Sequence, residues 1–177
     1  SQLSLGLSGI GNSHSDIGGY TTFGKMVRSK ELFLRWMEMN TFSMMMRSHE
    51  GNQPDKNHQF DTDEETIAFV SRFTQIYASM KIYLKEVDKI NHLTGMPSVR
   101  PLFFYYDHPE FLELDQVYLL GRDVLVYPVV IKGQTEMTIT LPDDEWIHMF
   151  TGNEHQGQLT ICSSRNLMWQ HLNSCNH

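Results

Sequence analysis

Two short polar clusters hold the residue types that chemistry needs. His14-Ser15-Asp16 follows a small, apolar stretch at residues 7–13, and Arg47-Ser48-His49 directly follows Met44-Met45-Met46. Together they offer a carboxylate, two imidazoles and a guanidinium. Three uses are open to such a set. Carbohydrate chemistry needs two carboxylates flanking the scissile bond, with donors and acceptors for sugar hydroxyls. Asp16 is a candidate for one carboxylate, and Arg47 and His49 for holding hydroxyls or orienting an acid. The second use is a metal site: His14 and Asp16, at i and i+2, share a face of an extended chain, and His49 would complete a two-His, one-carboxylate triad. In the third, the clusters only brace the end of a barrel.

The elements that must position these clusters are legible in outline. Residues 7–13 and Met44-Met45-Met46 both read as buried strands that open into polar loops. Gly18-Gly19 marks a turn that needs permissive backbone. A helix is expected from Ser29, its N-cap, through Met37. Thr62-Asp63-Glu64-Glu65 fits a capping box, and behind it Phe69, Phe73, Ile76, Met80, Tyr83, Val87 and Ile90 form one helical stripe that Gly95 stops. A third strand is read over residues 99–106. Beyond it, residues 123–130, 137–141 and 145–150 read as short strands separated by Gly and Asp turns. Strand and helix alternate to about Tyr106 and strands alone follow, the order of parallel α/β followed by antiparallel β. In a parallel barrel the loops after the strands form the active face, so both clusters are expected to converge there.

Composition narrows the uses further. The 177 residues carry a formal net charge of −7 with nine His and no basic run, which argues against a nucleic-acid partner. No apolar stretch is long enough to form a membrane-spanning segment. Cys162 and Cys175 are too few and too late for a disulfide framework. The chain opens at Ser1-Gln2-Leu3 inside an apolar element and without Met, so the natural start is expected upstream.

Five segments together resemble glycoside hydrolase family 31. They are Ser13-His14-Ser15-Asp16-Ile17-Gly18-Gly19-Tyr20-Thr21-Thr22, Glu31-Leu32-Phe33-Leu34-Arg35-Trp36, Met46-Arg47-Ser48-His49-Glu50-Gly51-Asn52, Arg100-Pro101-Leu102-Phe103 and residues 118–126. The order and spacing are those of the family, from the start to about Gly157. The first and third segments are most similar to its sulfoquinovosidase-like branch. The resemblance implies an α/β fold: the C-terminal part of a (β/α)8 TIM barrel at residues 1–106, an incomplete antiparallel β-sandwich domain at 107–160 and a divergent tail at 161–177. It implies a retaining α-glycosidase acting on a carbohydrate substrate, an α-glycoside of sulfoquinovose, with no metal or organic cofactor. Other α-glucosidases or α-galactosidases of the family, and a non-catalytic structural or sugar-binding fragment, are the alternatives.

By the same resemblance Asp16 lies in the pocket floor, Tyr20 helps hold the sulfonate and His49 contacts the sugar. His14 and Arg47 stand behind them. The resemblance also displaces Asp16 as an acid/base. The family's nucleophilic Asp and its acid/base Asp sit in motifs that precede these residues, and neither motif occurs here. No residue of this chain is therefore expected to be catalytic, and the chain alone is expected to be inactive.

Overall fold

The computed structural model describes residues 2–24, 26–157, 160–164 and 168–171. Its first part is helical: α1 (Gln2–Leu7), α2 (Lys30–Thr41), α3 (Glu64–Ser79) and α4 (Lys81–Thr94). Among the described residues eight strands follow, with a 3-10 turn at Leu102–Phe104 and the short α5 (Pro109–Leu112) between the first two. The strands are β1 (Val99–Arg100), β2 (Tyr118–Leu120), β3 (Val124–Val126), β4 (Glu136–Thr140), β5 (Glu145–His148), β6 (Glu154–Gln156), β7 (Thr160–Ser164) and β8 (Met168–His171).

Local signals explain most helix ends. The Ser29 hydroxyl accepts from the Leu32 amide and opens α2, as expected. Gly95, at φ 75°, closes α4 by donating to Asn91 O. The cap of α3 is Asp63, whose carboxylate accepts from the Thr66 amide, and not Thr62, whose hydroxyl accepts from the Gln59 amide. The single helix expected behind it is two, broken at Met80, which sits at φ −78° and ψ 1°. Ser79 just before the break donates to Ile76 O, a local bond that competes with the helical ladder. The stripe survives the break, with Phe73, Met80 and Val87 buried along it.

Three expected strands come out differently. Residues 7–13 are not a buried strand. Leu7 ends α1, and the Ile10 amide to Leu5 O and the Gly9 amide to Gly6 O close that helix in a Schellman turn, with Gly9 at φ 90°. Leu7 and Ile10 are exposed. Residues 44–46 form no strand ladder. Residues 7–13 receive one backbone bond from a distant segment among the described residues, Ser98 N to Gly11 O, and just beyond the two segments Ile17 N donates to Arg47 O. The third strand stops at Arg100, because Pro101 has no amide to donate and the chain turns into the 3-10 segment. β1 pairs antiparallel with β2.

Six strands form one antiparallel sheet in the order β1-β2-β3-β8-β5-β6, and β4 pairs with β7 in a second. Leu119 and Leu125 turn one face of the large sheet toward Ile139, Leu141 and Trp146. Tyr118, Leu120, Val124 and Val126 turn the other face toward Leu3, Phe42, Met80 and Leu84 of the helical part. Both faces are covered, which is why Tyr118–Leu120 and Val124–Val126 are apolar at every position instead of alternating. The segment expected to be a divergent tail supplies β7 and β8, each paired in register. Residues 165–167 and 172–177, Cys175 among them, lie outside the described residues. A third cluster, Ile17, Phe33, Met37 and Phe73, seats α2 on α3 beneath the polar loops.

Candidate functional site

The loop at residues 11–20 is pinned at intervals. Gly11 admits the chain past α4, where any Cβ would lie 1.9 Å from the Asn91 amide nitrogen. Ser15 faces α2: its hydroxyl accepts from Trp36 Nε1 at 2.8 Å, and its carbonyl accepts from Asn40 Nδ2. Alternation along an extended segment then turns His14 and Asp16 the other way. There Arg47 donates to Asp16 Oδ1 from Nε and approaches it from a terminal guanidinium nitrogen, both at 2.9 Å, and His14 Nε2 lies 3.6 Å from the same oxygen. The Asp16 side chain is 14 % exposed, while Arg47 is half in solvent.

Tyr20 and His49 form a second pair. Their ring centroids are 4.6 Å apart with an interplanar angle of 61°, an edge-to-face contact, and both residues are exposed. The Tyr20 ring lies over Gly51, where a Cβ would come within 2.8 Å of Tyr20 Cζ. The Gly51 amide donates to Tyr20 O. Among the described residues the Tyr20 hydroxyl has no hydrogen-bond partner, so it is available to a ligand.

A residue that carried no signal in the sequence ties the two pairs together. Arg28 is 4 % exposed, and its Nη1 points at three carbonyls, those of Ile17, Gly19 and His49, each 3.2 Å away. Its Nε donates to His58 O and its Nη2 to Gln59 Oε1. Glu50 is its counter-ion at 3.6 Å, and Phe33 stacks against the guanidinium at 5.4 Å. Burial opposes the charge of Glu50. The Gln53 and Asn52 amides, Asn57 Nδ2 and Arg28 outweigh it and hold the carboxyl below the ordinary range. Asn57 completes the knot by accepting from the Arg28 amide and donating to Thr22 Oγ1. Asn52 and Thr22 bond reciprocally, side-chain amide to backbone.

The five candidates thus lie in two clusters joined through backbone. His14, Asp16 and Arg47 make one, and Tyr20 and His49 the other. The metal triad is not assembled: His49 sides with Tyr20, and among the described residues no three His, Cys, Asp or Glu side chains gather to hold an ion. A hollow of about 630 Å³ adjoins His14, lined by Asn12, Met44, Met45, Tyr77 and Lys85. Asp16, Tyr20 and His49 stand outside it. Among the described residues no helix is long and apolar enough to cross a membrane.

Residues 1–84 match the model of the glycosyl hydrolases family 31 TIM-barrel domain, and residues 95–173 that of the family 31 C-terminal domain. The second match carries the likeness past Gly157 into β7 and β8. A sulfoquinovosidase of Escherichia coli is 50 % identical over 156 residues, covering 88 % of this chain and 23 % of that protein. One from Agrobacterium fabrum is 44 % identical over 157 residues, covering 88 % and 24 %. A solved sulfoquinovosidase from E. rectale, in complex with an aza-sugar inhibitor, superposes with a TM-score of 0.92 at 41 % identity, over 98 % of this chain and 26 % of that one. The chain spans about a quarter of the length of these relatives.

Proposed function

Because the chain belongs to glycoside hydrolase family 31, we propose that residues 1–177 are part of a retaining α-glycosidase for sulfoquinovosides. In this reading they build one wall of its sugar pocket. Tyr20 binds the sulfonate, directly or through a water, His49 contacts the sugar, and Asp16 forms the pocket floor. Arg47 and His14 hold Asp16 in place. The observation that carries the reading is the pairing of Tyr20 with His49: a phenol with an open donor beside an imidazole, both facing solvent and both fixed by the loops behind them. The likeness to sulfoquinovosidases supports the choice of sugar.

The two carboxylates of the reaction come from parts of the protein outside this chain. Asp16 carries the contacts of a braced carboxylate, its Oδ1 engaged by Arg47 and approached by His14. A retaining mechanism cannot form its glycosyl intermediate without a free carboxylate close to the anomeric carbon. The 177-residue chain alone is therefore expected to release no aryl alcohol from an aryl α-sulfoquinovoside. The longer protein that carries the chain is expected to release it with the sugar first appearing as the α-anomer, read by proton NMR during the first turnovers. Turnover by the isolated chain returns Asp16 to the catalytic candidates. A β-anomer as first product rejects retention, and no turnover by the longer protein rejects the glycosidase reading.

A further inference from the structure

Arg28 has more hydrogen-bonding partners than any of the five candidate residues, and it touches each loop that carries one. Gly19 O belongs to the peptide that joins Gly19 to Tyr20, and His49 O to the residue whose ring Tyr20 meets; both lie 3.2 Å from the same guanidinium nitrogen. The other side of Tyr20 is fixed too, since its carbonyl accepts from the Gly51 amide. The backbone of the pair is therefore referenced to one buried cation. Its surroundings are shaped around it: a Cβ at Gly18 would lie 2.1 Å from Arg28 Cδ, and Gly18 holds φ 78°. Glu50 keeps the cation in place through Oε2, and its Oε1 accepts from the Asn52 and Gln53 amides that follow His49. A planar fork of five donors reaches carbonyls in several directions at once, which an ammonium on a flexible stem does not.

We propose that Arg28, paired with Glu50, is the positioning residue that holds Tyr20 against His49 and thereby sets selectivity for an anionic substituent on the sugar. The positional half stands on geometry. The selectivity half rests on the sulfoquinovosidase reading.

Two measurements test the halves separately. The first is hydrogen–deuterium exchange by mass spectrometry on the longer protein and its Arg28→Lys and Glu50→Gln variants. Exchange should quicken about tenfold or more in peptides covering residues 17–24 and 49–53, with residues 118–126 unchanged. The second is kcat/KM for an aryl α-sulfoquinovoside and the matching α-glucoside in the longer protein. Arg28→Lys should lower the ratio of the two about tenfold, and by less than about threefold when Tyr20 is already Phe, because coupled residues are not additive. A residue that only supports the fold lowers both sugars together, additively with Tyr20→Phe. That result, or unchanged exchange at both loops, overturns the proposal. So does global loss of helical circular dichroism in both variants, since Arg28 then holds the domain and not the pair. If the unaltered longer protein hydrolyses neither sugar, the selectivity half falls with the substrate reading, and exchange alone still decides the positional half.

Discussion

Replacing Tyr20 by Phe removes one oxygen and little else. The ring that meets His49 at 4.6 Å and lies over Gly51 remains, so the packing of the pair is kept. Lost is a donor with no partner among the described residues, which in the account given above serves the sulfonate. A hydrogen bond to a charged group contributes about 1.5–3 kcal/mol, which converts to roughly a ten- to a hundredfold loss of catalytic efficiency. The plain glucoside has no sulfonate for the phenol to serve, and its efficiency should change by less than about threefold. The assay is kcat/KM on an aryl α-sulfoquinovoside and on the α-glucoside with the same aglycone, with wild type and Tyr20→Phe in the longer protein. Equal losses on the two sugars refute the sulfonate role and leave Tyr20 as a packing residue over the Gly-rich loop.

His49→Ala should lower kcat/KM on both sugars alike, by about three- to tenfold for one neutral hydrogen bond, since its proposed contact is to the part they share; loss confined to one sugar would contradict this. Gly51→Ala places a Cβ within 2.8 Å of Cζ of the exposed Tyr20 ring, which must swing aside, so it should lower the sulfoquinovoside-to-glucoside ratio of kcat/KM in the longer protein about tenfold, with an unchanged ratio against it. Asp63 is held at about 2, below its ordinary 3.8, by the Thr66 amide and by Lys30. Its folded pKa is depressed, so its stabilisation is complete above about pH 4 and fades as pH falls toward 2. The melting temperature of Asp63→Asn, which keeps a capping side chain, should accordingly lie below that of wild type at neutral pH and converge on it in acid; a gap that persists unchanged at low pH would refute the assignment.

What could be seen in the sequence was what depends on near neighbours. Ser29 caps and Gly95 stops because their partners are three or four residues away, and the stripe through Phe73, Met80 and Val87 follows from helical period alone. Strand assignments at residues 7–13 and 44–46 failed for the opposite reason. Apolar runs of that length do not reveal whether a ladder partner exists, and Leu7 proved to be the exposed end of a helix. The two polar clusters were found, but their division was not, since a contact such as Arg47 with Asp16 spans 31 positions. Arg28 was missed because its partners are scattered from Ile17 to Gln59 and no spacing rule links them. Glu50, Gly51 and Asn52 stood in a recognised motif, yet their work of bracing Arg28, Tyr20 and Thr22 emerges only in three dimensions.

A preference for the sulfonated sugar follows from the proposed pocket around Tyr20 and His49. It is tested most directly by the kcat/KM of the unaltered longer protein on an aryl α-sulfoquinovoside relative to the matching aryl α-glucoside, at fixed pH and salt. The expected ratio is about ten or more in favour of the sulfonated sugar, as one charged hydrogen bond alone would give. A ratio at or below one would contradict it and leave an α-glycosidase of the same family with a neutral substrate.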